Sequence, residues 1–248
     1  MKVLVCISNV PDTTSKINFV EGDTRFDTNG VQFIINPNDE FGLTRAIWLQ
    51  QQQQAEVTVL TVGDASCEPI LRKCLAVGAQ KALRIDTTAT DGFAVAQEIA
   101  AHCKETSYDL IITGRESMDY NGGMVGGILA GLVGVGFVTN CISLEIENGT
   151  ATLAREIDGG KENLTAQLPL VIGAQKGLVE EDDLIIPNMR GIMQARQKPL
   201  NVLAAQKNTP KSQVSKFEKP QPKGPVKLVA EDQLDELINL LHNEAKVI

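Results

Sequence analysis

The sequence contains few of the residues and motifs that form metal centres and hydrolytic sites. It contains two histidines, and its five cysteines form no Cys-x-x-Cys pair. A zinc site needs several nitrogen and sulfur ligands, so none is expected. The absence of a Gly-x-Ser-x-Gly motif argues against a serine hydrolase. The odd number of cysteines instead predicts reduced and mostly buried thiols.

Long hydrophobic runs and an excess of positive charge are also missing. The longest apolar stretch, residues 128–138, is interrupted by glycine and is too short to span a membrane. The amino-terminal residues lack the long apolar region of a signal peptide, so we expect a location in the bacterial cytosol or the mitochondrial matrix. A formal net charge of −8 disfavours nucleic acid as a partner.

Apolar runs alternate with helical patterns along the first half of the chain. Strands buried in a parallel sheet are predicted at residues 2–7, 56–63, 81–86 and 109–114. Helices are predicted at 39–54, 67–77, 92–104 and 123–132. This alternation predicts an α/β fold with a doubly wound, mostly parallel sheet, which would bind ligands at the carboxyl ends of its strands.

The second half of the chain predicts a small β addition and an extended arm. Strands are expected at 142–146, 151–157 and 164–174. Residues 206–227 are rich in lysine, proline, glutamine and serine, which predicts an arm without a core of its own. An amphipathic helix follows it. We therefore divide the chain into a domain at 1–205 and an arm with its helix at 206–248.

Loops at the expected carboxyl edge have sequences that suit a helix cap or a phosphate. Asn38 or Asp39 is placed to cap the helix that starts near residue 39. Residues 114–127 enter a helix through several glycines, which would let a phosphate approach the free N–H groups there. This segment is neither a P-loop nor a Gly-x-Gly-x-x-Gly motif, and close helix–strand packing is the commoner reason for such glycines.

Residues 155–162, with sequence REIDGGKE, combine charged side chains with adjacent glycines. Taken alone, the segment predicts a surface hairpin whose charges are solvated. Its neighbours change that interpretation.

Four segments together make the chain resemble the β subunit of electron transfer flavoprotein. They are KVLVCISNVPDT, INPNDEFGLTRAIWL, LRKCLAVGAQKALRI and AREIDGGKENLTAQLPLVI. The last one matches the family signature at Arg155, Glu156, Asp158, Gly159, Gly160, Glu162 and Pro169. The resemblance extends to about residue 200 and implies a fold like that of the adenine-nucleotide α-hydrolases.

The resemblance implies a heterodimeric electron carrier in which this chain catalyses no reaction itself. The α subunit holds the redox FAD, and the β subunit holds an AMP without a redox role. Electrons come from acyl-CoA dehydrogenases and related flavin dehydrogenases of fatty acid β-oxidation, and pass to electron transfer flavoprotein–quinone oxidoreductase. The arm is expected to wrap the α subunit.

The resemblance also assigns an AMP site. Its residues are Cys6, Asn36, Pro37, Asn38, Asp39, Val62, Asp119, Asn121, Gly122, Gly123, Met124, Val125, Gly126, Gly127 and Ala130. Many family members carry Asn-Gln-Thr-Gly in the phosphate loop, whereas this chain has YNGGMVG there. Backbone amides are therefore the expected phosphate donors.

Two further regions are assigned to partners. Residues 175–198 correspond to the recognition loop, with Met189 as the apolar anchor. Beside the anchor lie Ile192 and Met193, and the positive charges of Arg190 and Arg196 suit an acidic partner. Glu162 would lie at the subunit interface, near the mobile FAD domain of the α subunit. The alternative is a purely structural role, in which Met189 and Met193 only pack the loop.

Alternative functions remain open at this point. A bifurcating relative would hold a second FAD in place of AMP and would split the electrons of NADH. A stand-alone adenine-nucleotide sensor would share the fold, but it would need neither the arm nor the recognition loop.

Overall fold

The computed structural model describes residues 1–88, 91–206 and 208–248. The strands are β1 (Lys2–Cys6), β2 (Asn9–Pro11), β3 (Phe19–Val20), β4 (Arg25–Phe26), β5 (Phe33–Ile35), β6 (Glu56–Val62), β7 (Lys81–Asp86), β8 (Leu110–Gly114), β9 (Gly136–Glu147), β10 (Thr150–Ile157), β11 (Gly160–Gln167), β12 (Leu170–Ala174) and β13 (Leu200–Ala204). The helices are α1 (Pro37–Gln53), α2 (Glu68–Val77), α3 (Gly92–Glu105), α4 (Val125–Val133), α5 (Met189–Ala195) and α6 (Leu234–Asn239). Short helical turns lie at Ala65–Cys67, Glu181–Asp183 and Leu240–Glu244.

The main sheet has the order β11-β10-β9-β12-β8-β1-β6-β7-β13. Neighbouring strands from β9 to β13 in this order run parallel, and the β10–β11 hairpin adds an antiparallel edge. Helices α1 and α2 pack on one face of the sheet, and α3 and α4 pack on the other. The predicted doubly wound α/β fold is therefore confirmed.

Strand β1 lies near the centre of the sheet and shows why helices pack on both of its faces. Its side chains alternate between the faces: Val3 and Val5 join the core under α1 and α2, while Leu4 joins the core under α3 and α4. From β1 the chain continues to β6 on one side and later returns to β8 on the other. The loops that follow β1 and β8 therefore meet at a topological switch point, where open α/β sheets bind ligands.

The structure differs from the sequence-based boundaries in the second half of the chain. Residues 164–174 are divided between β11, which pairs with β10, and β12, which lies between β8 and β9. Pro169 lies at the division, and it has no N–H group to donate to a sheet. The first strand of the predicted β pair is also longer, because β9 begins at Gly136.

The start of α1 differs as well. The cap residue is Asn36, and neither Asn38 nor Asp39 occupies that position. Pro37 then takes the first helical position, where the missing N–H group costs nothing. Asp39 lies inside the first turn and is buried.

The thiols follow the sequence-based expectation. Cys6, Cys67, Cys74 and Cys141 are buried, and Cys103 is partly buried. All five are free thiols in the structure.

The arm is extended over its described part and begins on the α/β domain itself. The buried carboxylate of Glu98 on α3 accepts the amide N–H groups of Gln206 (2.8 Å) and Asn208 (3.2 Å). Further along, the ring of Phe217 stacks on Phe19, with 4.7 Å between the ring centroids. Lys207 lies outside the described residues.

Helix α6 is shorter than the predicted terminal helix, and a π-helical turn continues it. Leu234, Leu237 and Ile238 are exposed on α6. Across the described part of the chain, no helix combines the length and hydrophobicity that crossing a bilayer requires.

Candidate functional site

The carboxyl edge of the sheet brings the predicted nucleotide-site residues together. The central neighbours β1, β6 and β8 end there at Cys6, Val62 and Gly114. The start of α1 and the loop from Arg115 to Met124 border the same edge. The side chain of Cys6 is buried in the core beneath α3 and α4, so it forms the floor of this region.

Asp39 connects the loop after β1 to the start of α1. Its side chain is 1% exposed. One carboxyl oxygen, Oδ2, accepts the amide N–H of Ser8 (2.7 Å), and the other accepts Nδ2 of Asn36 (3.0 Å). Burial raises the pKa of Asp39 to about 7, although these hydrogen bonds favour the charged form. Both oxygens of the Asp39 carboxyl group therefore accept hydrogen bonds from the protein itself.

Asn36 extends this network to the loop after β8. Its Nδ2 also donates to the carbonyl oxygen of Glu116 (2.8 Å), and its Oδ1 accepts the amide N–H of Met118 (3.2 Å). Asn38 donates to the same Glu116 carbonyl (3.1 Å). Through these hydrogen bonds, Asn36 and Asp39 fix the loops after β1 and β8 against the start of α1.

The amino terminus of α4 is suited to a phosphate. Met124 occupies the cap position without a side-chain hydrogen bond, and the first turn contains no acidic residue. The N–H groups of the first turn, at residues 125–127, have no acceptor within the helix. Free N–H groups and the helix dipole both favour an anion at such a position. The residues present therefore fit a nucleotide phosphate, which backbone amides would hold.

The glycines of this segment do not all serve the same purpose. A Cβ atom on Gly126 would lie 2.7 Å from Oγ1 of Thr113 and 2.8 Å from Cε2 of Phe137. Gly126 is therefore required where α4 packs against the sheet. A Cβ atom on Gly122 would meet only Oγ of Ser117, at 3.2 Å, so this glycine is under less steric constraint. In the same loop, Asp119 accepts the amide N–H of Tyr120 (2.9 Å) through Oδ1.

The predicted recognition loop presents apolar side chains to solvent. Met189, the first residue of α5, is 74% exposed, and Met193 one turn later is 66% exposed. Arg190, Ile192 and Arg196 are exposed as well. Sequence reasoning did not single out Ile186, which is 83% exposed and precedes Pro187. In the sequence, the only indication of this exposed side chain is its place in the Ile-Ile-Pro run at residues 185–187.

The REIDGGKE segment forms the tip of the β10–β11 hairpin. Asp158 and Gly159 make the turn, and Gly159 has a left-handed φ of 83°. Arg155 and Glu162 are opposite each other in the register and form an ion pair. The hairpin predicted from these residues is therefore confirmed.

A polar chain connects this hairpin to the carboxyl edge. The carboxylate of Glu156 accepts Nε2 of Gln175 (2.6 Å), and Oε1 of Gln175 accepts Nη1 of Arg115 (3.3 Å). Gln175 is 6% exposed and directly follows β12. Sequence reasoning missed it because only the fold places it between Glu156 and Arg115.

Comparisons with known proteins agree with this architecture. Residues 23–208 match the family model described as "Electron transfer flavoprotein domain". The chain is 32% identical to the electron transfer flavoprotein subunit beta of Bacillus subtilis, over the full length of both proteins. It is 33% identical to the same-named subunit of Syntrophomonas wolfei, over 89% of this chain and 86% of the relative. It is 30% identical to the mitochondrial subunit beta of Arabidopsis thaliana, again over both full lengths.

Proposed function

The chain belongs to the electron transfer flavoprotein family, among its β subunits, and from this premise we propose that it supports an FAD-bearing α subunit and holds AMP. The heterodimer accepts electrons from acyl-CoA dehydrogenases and related flavin dehydrogenases. It delivers them to electron transfer flavoprotein–quinone oxidoreductase. The β subunit catalyses no reaction itself and acts in the bacterial cytosol or the mitochondrial matrix.

The single observation that carries the nucleotide proposal is the uncapped amino terminus of α4 at the switch point of the sheet. The N–H groups at residues 125–127 would hold the AMP phosphate. Residues 36–39, at the start of α1, would border the nucleoside, with Cys6 and Val62 beneath it. AMP supplies no redox chemistry, so the role of these residues is to bind and orient it. The electrons reside on the FAD of the α subunit.

The docking proposal is supported by the exposed apolar side chains of α5. Met189 is an unbranched side chain that can adapt to a pocket on a dehydrogenase. Arg190 and Arg196 flank it and have no ion-pair partner among the described residues. Positive charges beside an apolar anchor would accelerate encounter with an acidic partner surface.

The subunit interface is proposed to include Glu162 and the end of the arm. Glu162 lies on an exposed edge of the sheet, where a guanidinium group of the α subunit could share its carboxylate with Arg155. The exposed leucines and isoleucine of α6 provide an apolar face for the same partner.

The proposal is tested by reconstituting the heterodimer from separately produced α and β subunits. An acyl-CoA dehydrogenase and its substrate should reduce the FAD of the heterodimer, and the reduced FAD should then be reoxidised by the quinone oxidoreductase. The β chain alone should accept no electrons. If NADH reduces the heterodimer directly and the dehydrogenase does not, the bifurcating alternative replaces this proposal.

A further inference from the structure

Helix α5, which carries the proposed dehydrogenase anchor, needs support from elsewhere in the chain. It has seven residues, and helices of this length are unstable in isolation. Its Ala195 is buried against the core, whereas Met189 and Met193 project into solvent. The contacts that hold it come from α2.

Two cations, one on α2 and one in the segment that follows α5, bond to carbonyl groups at the opposite helix end. Arg72 on α2 donates through Nη1 to the carbonyl oxygen of Ala195 (2.8 Å), the last residue of α5, and to that of Lys198 (2.9 Å), three residues later. Lys198 in turn donates through Nζ to the carbonyl oxygens of Leu75 and Ala79 (2.8 Å each), at the end of α2. The last carbonyl groups of a helix lack partners within it, and positive charge is favourable there.

The two helices also approach closely at a glycine. A Cβ atom on Gly191 would collide with the carbonyl oxygen of Ala76 on α2. Any larger residue at position 191 would therefore push α5 away from α2. At the start of α5, the side chain of Asn188 caps the helix by accepting the N–H of Gly191 (2.8 Å).

We propose that Arg72 and Lys198 are positioning residues for dehydrogenase docking, which act by holding α5 on α2 so that Met189 is presented in one orientation. This inference rests on the proposed docking function of α5. A fixed anchor binds more tightly because no ordering is required at the moment of encounter. Without these contacts, only a fraction of the molecules would present Met189 correctly, and the apparent affinity would fall by that fraction.

The test uses the intact heterodimer and the acyl-CoA dehydrogenase that gives the highest turnover with it. Arg72→Met and Lys198→Met should raise the KM for the heterodimer about tenfold, as expected when the competent conformation falls to about a tenth of the population. The kcat should stay within about twofold, because the electron-transfer step itself is untouched. Hydrogen exchange of the α5 amides should become faster in both variants.

Matched variants separate this role from charge and from folding. Lys73→Met removes a charge from the same helix, but Lys73 pairs with Glu40 and is expected to leave exchange at α5 unchanged. Gly191→Ala displaces α5 without changing any charge, and should raise KM as Arg72→Met and Lys198→Met do. Arg72→Lys keeps a cation that can reach the same carbonyl groups, and should restore much of the parent behaviour.

The inference is overturned if α5 amides exchange at the parent rate in Arg72→Met and Lys198→Met, or if they exchange faster while KM is unchanged. Met189→Ala shows which proposal has failed. An unchanged KM in that variant removes the docking function of α5 itself. A raised KM in Met189→Ala, together with an unchanged KM in Arg72→Met and Lys198→Met, removes only the positioning role.

Discussion

The guanidinium Nε of Arg155 lies 2.5 Å from Oε2 of Glu162, across the two strands of the β10–β11 hairpin. This ion pair gives the charged tip of the REIDGGKE segment a fixed arrangement. Both side chains are partly exposed, so the pair contributes at most about 1 kcal/mol to stability. Its structural effect is to fix the position of the Glu162 carboxylate on the exposed hairpin.

Glu162→Ala should therefore leave the fold intact and slow electron transfer in the heterodimer. We expect a change in Tm of less than about 3 °C, since an exposed ion pair is lost. The rate with a dehydrogenase should fall by about threefold, which corresponds to losing one exposed charge pair at an interface. Stopped-flow reduction of the FAD measures this rate. Lys161→Ala, a change on the same hairpin, is the control, and an unaltered rate in Glu162→Ala would remove the interface role of Glu162.

Asp39 should make stability depend on pH. Its pKa is raised from 3.8 to about 7 in the folded chain, so the folded state binds this proton more tightly than the unfolded state. Its contribution to the free energy of unfolding is therefore full below pH 3.8 and is lost as the pH rises through about 7.

Asp39→Asn should remove this part of the pH dependence. The neutral amide does not titrate, so the decline in unfolding free energy, on the order of a few kcal/mol, should flatten. Urea denaturation at about pH 5 and about pH 8 measures the difference. A decline as steep in Asp39→Asn as in the parent chain would show that another group titrates.

Asn36→Ala should destabilise the carboxyl edge and weaken nucleotide binding. It leaves the carbonyl of Glu116, the amide of Met118 and the carboxyl of Asp39 without the amide that joins them. We expect a loss of about 2–3 kcal/mol in unfolding free energy, the cost of buried polar groups without partners.

The matched control for this prediction is Asn38→Ala. Asn38 shares only the Glu116 carbonyl and is partly exposed, so its loss should cost less than about 1 kcal/mol. Chemical denaturation gives both values. Equal losses in the two variants would contradict the bracing role of Asn36.

Met189→Ala should weaken dehydrogenase docking without affecting stability. Its side chain is largely exposed, so truncation removes no core contact. As a binding hot spot it should cost about 1–2 kcal/mol, seen as a KM raised by about tenfold. Ile186→Ala is the comparison, because Ile186 is even more exposed. If only Ile186→Ala raises KM, the anchor lies at Ile186 and the assignment of Met189 is wrong.

The central sheet could be predicted from the sequence because its strands are short and buried. In β1 and β8, apolar side chains face both helical layers, so the signal did not depend on alternation. The hairpin tip was equally clear from its glycines. The division of residues 164–174 into β11 and β12 was not predicted, because an apolar pattern does not reveal that the chain changes strand partners at Pro169.

The candidate site was harder to predict than the fold. The resemblance named Asn36 and Asp39, but only the structure shows that their polar groups bond to Ser8, Glu116 and Met118. The contacts of Gln175 with Glu156 and of Arg72 with Ala195 had no local signal. Their partners lie far away in the sequence, so their roles depend on tertiary structure.

The most direct test of the central claim is to purify the chain with its α subunit, denature the complex and identify the nucleotides that are released. We expect equimolar FAD and AMP, with the AMP lost from the Asn36→Ala variant. FAD without AMP would contradict the assignment of the nucleotide site at the start of α4. Twice as much FAD as protein, without AMP, would contradict the simple electron carrier and identify a bifurcating complex.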